Sequence, residues 1–178
     1  MATTISGAVT LAMTATMTTP LVLGSATLGS GVASMTVTAG PTAFTNGTGS
    51  GQANQIYWAT RTLVASTSEQ LDFNGSGGAI LYDPAGNALT MARLKTVVVS
   101  AAPANTNSVV VGGGSGAVTG LFGGGTQTGI VVPGATLAWL CSPTDTTGYV
   151  ATTHALQIAN SGAGSSVTYT IVVIGTTT

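Results

Sequence analysis

The sequence predicts an all-β protein, with a β-sandwich or jelly-roll-like body and a β-rich N-terminal arm. Three observations predict it. Apolar and polar residues alternate with a period of two in many short segments, as they do in half-buried strands. Turn signals rich in Gly and Pro separate these segments at short intervals, which is typical of sandwiches and jelly rolls. No long segment carries the apolar stripe of a helix.

The N-terminal region, residues 1–53, contains no charged side chain and is rich in Thr, Gly and Ala. Long neutral strands expose unpaired backbone groups, and Pro20 and Pro41 are the only protective residues here. We therefore expect this region to be an arm or small β region that pairs with neighbouring subunits. The alternative is that it completes a sheet within its own subunit. The apolar positions predicted to make the assembly contacts are Val9, Leu11, Met13, Met17, Met35 and Val37.

Residues 54–178 are predicted to form the sandwich body, because they carry all seven charged residues and eight of the nine aromatic residues. Between the two regions, the Gly-rich stretch 45–51 is predicted to be a linker or a loop tip. In the last strand, the residues from Val167 to Val173 alternate between a core face and a Thr-rich face. The predicted strands are 55–65, 69–73, 79–82, 88–101, 108–111, 129–132, 135–141, 154–159 and 167–174.

The low charge excludes several classes of function. Charged residues make up 4% of this chain, whereas an ordinary soluble domain is about 25% charged. A net charge of −1 offers no basic surface for nucleic acid or for an anionic membrane. No apolar run reaches the roughly 20 residues of a membrane-spanning helix, and we expect no secretory signal, because the N-terminus lacks Lys and Arg. A neutral surface with little repulsion between copies is typical of a part of an assembly.

The ionisable residues form no recognisable catalytic or metal-binding pattern, so we expect neither an enzyme nor a bound metal or cofactor. His154, the only histidine, lacks the acid and nucleophile of a catalytic arrangement and is predicted to be structural. Glu69 and Asp72 lie near a turn and are the one candidate for Ca²⁺, but the EF-hand pattern of oxygen ligands is missing. Asp83 precedes Pro-Ala-Gly and is predicted to cap a turn.

Other conspicuous residues also have structural interpretations. Cys141 is the only cysteine, which excludes an internal disulfide, and it is predicted to be a small buried hydrophobe. The glycine runs at 112–114 and 123–125 lack the Lys-Ser/Thr ending of a phosphate-binding loop and are predicted to be turns. The basic residues are predicted to pair with acids across strands. Arg93 and Lys95 are two residues apart, so we expect them to share one strand face that is solvated or part of a subunit contact.

Parts of the body resemble a group of small structural proteins of tailed bacteriophages. The matching stretches are 89–95, 105–112, 132–135, 156–164 and 167–175, within residues 60–175. The resemblance is a pattern of strands and turns that contains no catalytic signature. It implies a virion component with a β-sandwich body, and it carries over no active-site residue.

We therefore expect a capsid decoration (cement) protein on the outer surface of a phage head, made in the host cytoplasm without a signal peptide. Its expected partners are the major capsid protein and copies of itself, as a homotrimer at three-fold positions. The first alternative is a tail component (a fibre, hub or receptor-binding tip) that contacts a host-surface glycan through Trp58, Tyr57 or Tyr149. A remoter alternative is a non-viral, adhesin-like surface module.

Overall fold

The computed structural model describes residues 7–23, 26–75, 79–114, 118–141, 148–151 and 155–178, with nearly all side chains from Phe44 onward. Within these ranges the chain is nearly all β, which confirms the predicted fold class. His154 and Asp145 lie outside the described residues. The elements are β1 (Gly7–Leu23), β2 (Ala26–Asn46), β3 (Gln52–Ala53), β4 (Gln55–Leu63), β5 (Ser68–Asp72), β6 (Arg93–Ala101), β7 (Val109–Gly112), α1 (Thr119–Phe122), β8 (Thr128–Val131), β9 (Thr136–Leu140), β10 (Tyr149–Val150), β11 (Ala155–Asn160) and β12 (Val167–Thr176).

Two antiparallel sheets pack together to form the body. In the first sheet β12 lies between β4 and β6, and both β9 and β10 pair with the other side of β6. The second sheet has the order β5-β11-β7-β8. One apolar core joins the two sheets, because Tyr169 and Ile171 from the first and Leu156 and Ile158 from the second are fully buried in the same cluster.

The last strand, β12, has the two faces that its alternation predicted. Val167, Tyr169, Ile171 and Val173 are completely buried, whereas the Thr and Val residues between them (168, 170 and 172) are partly exposed. β12 pairs with a strand on each side, and successive side chains point to opposite faces of the sheet, so every second residue enters the core. The predicted division of this strand is therefore confirmed.

The first two strands form a long antiparallel hairpin. Its register shifts once between Thr19 and Leu21, where Pro20 stands, and once opposite Pro41. Proline has no N–H to donate to a ladder, which explains why both prolines fall at these irregularities. Between the shifts, residues 11–19 pair with residues 31–39 in nine consecutive pairs.

The end of the hairpin joins a third strand of the same chain. Thr45 and Asn46 of β2 pair in parallel with β3, so β1, β2 and β3 form a three-stranded sheet within one chain. The stretch 45–51 closes a turn in which the Thr45 N–H donates to the Gly51 carbonyl at 3.0 Å. Its composition predicted either a linker or a loop tip, and the structure shows a loop tip.

One predicted strand is wrong and another begins later than predicted. Residues 79–82 form no strand, and only an isolated bridge joins Tyr82 to Ala88 across the turn at Asp83. The predicted strand 88–101 begins at Arg93, because the preceding amides bond elsewhere: the Met91 N–H donates to the Phe73 carbonyl at 2.7 Å. The short α1 and the two-residue β10 were not predicted, since elements of this length leave no periodic pattern.

The expectation that Arg93 and Lys95 share one strand face, solvated or part of a subunit contact, is wrong. A bulge in β6 is the reason: Leu94 and Thr96 pair with the consecutive β12 residues Gly175 and Ile174, so Lys95 is an extra residue. An extra residue interrupts the period of two on which the expectation depended. Lys95 is 1% exposed, whereas Arg93 is partly exposed.

Candidate functional site

Three polar residues form a cluster that joins the two sheets of the body at one edge. The Arg61 Nε donates to Glu69 Oε2 at 2.8 Å, a second guanidinium nitrogen also donates to that oxygen, and the Tyr169 hydroxyl donates to Oε1 at 2.7 Å. Arg61 on β4 and Tyr169 on β12 belong to one sheet, and Glu69 on β5 belongs to the other. The predicted pairing of a basic residue with an acid across strands is thus confirmed for Arg61.

The same hydrogen bonds shift two pKa values. The bond to Glu69 raises the pKa of the Arg61 guanidinium. Burial raises the pKa of the Tyr169 phenol, and the bond to Glu69 raises it further. Because Arg61 and Tyr169 lie on one sheet and both oxygens of Glu69 on the other sheet accept their hydrogen bonds, the cluster joins the two sheets.

The two acids of the candidate Ca²⁺ site accept hydrogen bonds from different groups. Glu69 bonds within the cluster just described, whereas Asp72 is buried and its Oδ1 accepts the backbone N–H groups of Asn74 and Gly75 at 3.1 and 3.0 Å. Among the residues described, no group of three or more His, Cys, Asp or Glu side chains is placed to hold a metal ion.

Asp83 caps its turn as predicted. Its Oδ1 accepts the backbone N–H groups of Ala85 and Asn87 at 2.9 and 2.7 Å, and its Oδ2 accepts the Asn87 side-chain amide at 2.9 Å. The side-chain bond from Asn87 is the largest cause of the lowered pKa of this carboxyl, and the backbone bond from the same residue is next. These hydrogen bonds fix the loop.

The second glycine run and the cysteine have their predicted structural roles, whereas the first run begins inside a strand. Gly123 has a φ of 77°, in the left-handed region that favours glycine, and lies in a bend, but Gly112, with a φ of 100°, is the last residue of β7 and pairs with Thr128. Cys141 is buried, and its thiol contacts the Leu94 carbonyl at 3.9 Å.

The outward residues of β4, β12, β6 and β9 form a broad surface, which we call the hydroxyl face. They alternate along each strand with the core residues, and none of them is ionisable. Six of the ten carry a hydroxyl group. The hydroxyl face consists of Trp58, Thr60, Thr62, Val98, Ser100, Thr136, Ala138, Thr168, Thr170 and Val172.

Cross-strand hydrogen bonds fix the hydroxyl groups of this face. Thr60 and Thr170 are joined at 3.0 Å between their Oγ1 atoms, and Thr62 and Thr168 are joined in the same way at 3.0 Å. Farther along, the Thr136 hydroxyl donates to that of Ser100 at 3.0 Å. These bonds hold the side chains in one arrangement, so the surface is polar, neutral and ordered.

The apolar part of the hydroxyl face adjoins the base of the hairpin. Trp58 is 62% exposed and pairs across the sheet with Val172. Phe44, near the end of β2, is buried against Ile174, and Ile56 and Val172 pack against the same cluster. The hairpin base therefore covers one end of this sheet surface, and the exposed Trp58 lies beside the covered end.

Among the terminal strands of the described sheets, β1 and β4 both combine an unpaired edge with a lack of free charge. β1 pairs with β2 on one side, and β4 pairs with β12 on one side, and each is the terminal strand of its sheet order within the described chain. β1 contains no charged residue, and the one charged residue of β4, Arg61, is bound to Glu69. Such edges are templates for pairing with another chain.

The hairpin register brings the predicted assembly positions opposite one another or opposite Ala and Thr. Met13 pairs with Val37, and Met35 pairs with Ala15. Val9, Leu11 and Met17 pair with Thr42, Ala39 and Ala33. Opposite residues of two strands share one face of the pair. The contacts of these side chains lie outside the described part of the chain, so their role in assembly stays a prediction.

Of the aromatic residues expected to contact a glycan, only Trp58 is well exposed. The expectation for Tyr57 is wrong, because Tyr57 is 4% exposed and lies edge-on to Phe73 in the core. Tyr149 is partly buried and packs against the core cluster. The sequence could not separate them, because Tyr57 and Trp58 are neighbours on opposite faces of an edge strand.

The hydroxyl face and the β4 edge were not predicted as sites. The signal was present in the alternating threonines at 60 and 62 and at 168 and 170. What the sequence lacks is the register that places these pairs side by side on adjacent strands.

Comparison with protein-family models, with curated proteins and with solved structures found no match to this chain. None of the helices that the structure describes is long and apolar enough to cross a membrane.

Proposed function

We propose that this chain is a structural protein of a phage virion, and specifically a decoration protein that binds the outside of the head. The observation that carries the proposal is the β1–β2 hairpin, whose 17-residue and 21-residue strands contain no charged residue. Within the described part of the chain, its edges are paired only where Thr45 and Asn46 meet β3. A hairpin of this kind is suited to add strands or lie between subunits of a larger assembly.

The neutral body supports an assembly role. The hydroxyl face presents uncharged side chains, several of them hydrogen-bonded to one another, and covering such a surface costs less solvation energy than covering charged groups would. Repetition around a symmetric head would multiply many weak contacts of this kind into firm attachment. The partners we propose are the major capsid protein and other copies of this chain, arranged as a trimer.

We propose no enzymatic activity. The arrangement that comes nearest to a catalytic group is Glu69 with Arg61 and Tyr169, and all three are occupied in joining the sheets. Asp72 and Asp83 are bonded to backbone N–H groups of their own turns.

Removal of the hairpin tests the proposal. A chain lacking residues 1–40 is expected to keep the folded body and to lose binding to purified heads in a co-sedimentation assay. In the full-length chain, Thr14→Lys with Thr16→Lys places two charges on β1 and is expected to reduce binding, whereas Thr126→Lys in an exposed turn serves as the matched control. Unchanged decoration by the truncated chain would contradict the proposal.

A second candidate function is a tail component that contacts a host-surface glycan, and the exposure of Trp58 favours it. An exposed indole beside Thr60 and Thr170 offers an apolar stacking surface next to hydroxyl groups, the combination that a neutral sugar ring requires. Titration with neutral oligosaccharides, followed by Trp fluorescence, compares the native chain with Trp58→Ala. The other tryptophan, Trp139, packs edge-on to Phe122 and provides an internal reference.

A further inference from the structure

We propose that the hairpin of one copy pairs with the β4 edge of a second copy, so that residues 11–19 of β1 extend the five-stranded sheet of the neighbouring body. The inference rests on the assembly role proposed above and adds the acceptor: an edge of this same protein. It is argued from the two unpaired edges, their lengths, their charge and their patterns.

The lengths of the two edges match. β4 pairs with β12 through nine consecutive residues without a register shift, so its opposite edge is equally regular. The hairpin contains a regular segment of nine pairs, residues 11–19 with 31–39, bounded by the irregularities at Pro20 and Pro41. The nine β1 residues include no proline, so each has the N–H that a ladder requires.

Residues 11–19 of β1 carry no charge, proline or bulge, and the one protective feature on β4, the inward charge of Arg61, is paired with Glu69. Natural edge strands are protected by Lys, by Pro, by bulges or by inward charges. On β4 the only charged side chain is Arg61, which is bound to Glu69, and the strand has no Pro and no bulge. Within the described chain β4 pairs with β12 alone, and the hairpin of the same chain meets β4 only at its first residues, where Ile56 packs against the cluster that contains Phe44.

The residue patterns are also compatible. Along β4 the outward residues Thr60 and Thr62 alternate with core-side residues. Along residues 11–19, Thr14, Thr16 and Thr18 alternate with apolar residues. In one of the two possible orientations of the added strand, these threonines continue the hydroxyl rows formed by β4 and β12, and the apolar residues meet the core side.

Disulfide trapping between two different copies tests the inference in purified protein. Both copies carry Cys141→Ala. One adds a single cysteine on the hairpin, at Thr14, Thr16 or Thr18 in turn, and the other adds Thr60→Cys. Adjacent strands lie about 5 Å apart, within the Cα separation of less than about 7 Å that a disulfide needs. We expect one hairpin position to give a mixed disulfide in high yield, and that position defines the register.

Thr170→Cys is the matched control, because it lies in the same hydroxyl row as Thr60 but one strand farther from the edge. An added strand would stand about 10 Å from it, too far for a disulfide. We expect several-fold less cross-linking to this position. Equal yields at the two positions, or no cross-link to Thr60→Cys in folded protein, would overturn the inference.

Sedimentation of the native full-length chain provides a second measurement that needs no cysteine. We expect concentration-dependent self-association, and a monomer at every concentration would also overturn the inference. The outcomes separate the two proposals: head binding without cross-linking refutes only the pairing between copies, and cross-linking without head binding refutes only the capsid role.

Discussion

The hydroxyl group of Tyr169, in one sheet of the sandwich, donates a 2.7 Å hydrogen bond to Glu69 in the other sheet. Glu69 also accepts hydrogen bonds from the Arg61 guanidinium, so one carboxylate connects β4, β5 and β12. The connection lies directly behind the hydroxyl face, since Thr168 and Thr170 flank Tyr169 on the opposite side of β12. The joint therefore fixes the strands that carry the surface proposed for assembly.

Tyr169→Phe is expected to lower the free energy of unfolding by about 1.5–3 kcal/mol, the usual contribution of a hydrogen bond to a charged group. Arg61→Ala is expected to cost less, about 1 kcal/mol or below, because the Arg61 side chain is 38% exposed and its ion pair is screened by solvent. Urea denaturation of both variants, together with Glu69→Gln in a double-mutant cycle, measures the coupling. Additive effects of Tyr169→Phe and Glu69→Gln would show that the bond contributes nothing.

Gly112→Ala is expected to destabilise the body by about 1–3 kcal/mol. Gly112 has a φ of 100°, and an added Cβ would stand 2.7 Å from the Gln127 carbonyl oxygen. Gly125→Ala is the control, because nothing lies within 4 Å of a Cβ there and its φ is not positive. Thermal unfolding followed by circular dichroism compares the two, and equal melting temperatures would contradict the steric argument.

The Asp83 turn is expected to give a stability that decreases in acid. Hydrogen bonds from Asn87 lower the pKa of Asp83 in the folded chain below its ordinary value of 3.8. The charged form therefore stabilises the fold fully above about pH 4, and this contribution is lost as pH falls through the lower, folded-state pKa. Denaturation at pH 6 and at pH 3 should show a smaller loss for Asp83→Asn than for the native chain. If both proteins lost the same amount of stability between pH 6 and pH 3, Asp83 would not be a cause of the acid sensitivity.

Substitutions of Trp58 and of Phe44 are expected to have different effects, because Trp58 is exposed whereas Phe44 is buried at the base of the hairpin. Trp58→Ala is expected to change stability by no more than about 0.5 kcal/mol, since the side chain is largely in solvent. Phe44→Ala removes a buried ring from its contact with Ile174 and is expected to loosen the hairpin base. Limited proteolysis near the turn 45–51 measures that loosening. Faster cleavage is expected for Phe44→Ala only, and equal cleavage of both variants would contradict the assignment.

The sequence predicted those parts of the fold that depend on local alternation and turn chemistry. In β12 the apolar residues Val167, Tyr169, Ile171 and Val173 alternate with a second set that contains Thr168 and Thr170, and the structure buries the apolar set. In β6 the same rule fails at Lys95, because the bulge is created by pairing with β12 and leaves no sign in the sequence of β6 alone.

Surface features depended more strongly on long-range pairing. The hydroxyl face requires Thr60 and Thr170, which are far apart in sequence, to become neighbours, and only the register of β4 on β12 brings this about. The exposure of Trp58 and the burial of Tyr57 likewise depend on which side of β4 meets the core. Alternation predicted that the two residues lie on opposite faces, and packing decided which one is exposed.

Copy number tests the central claim most directly. Quantitative peptide mass spectrometry of purified phage particles that contain this chain would compare it with the major capsid protein. The decoration proposal predicts close to one copy per capsid subunit, or about one per three, as repeated symmetric binding requires. A few copies per particle would favour the tail alternative, and absence of the chain from purified particles would contradict the virion role.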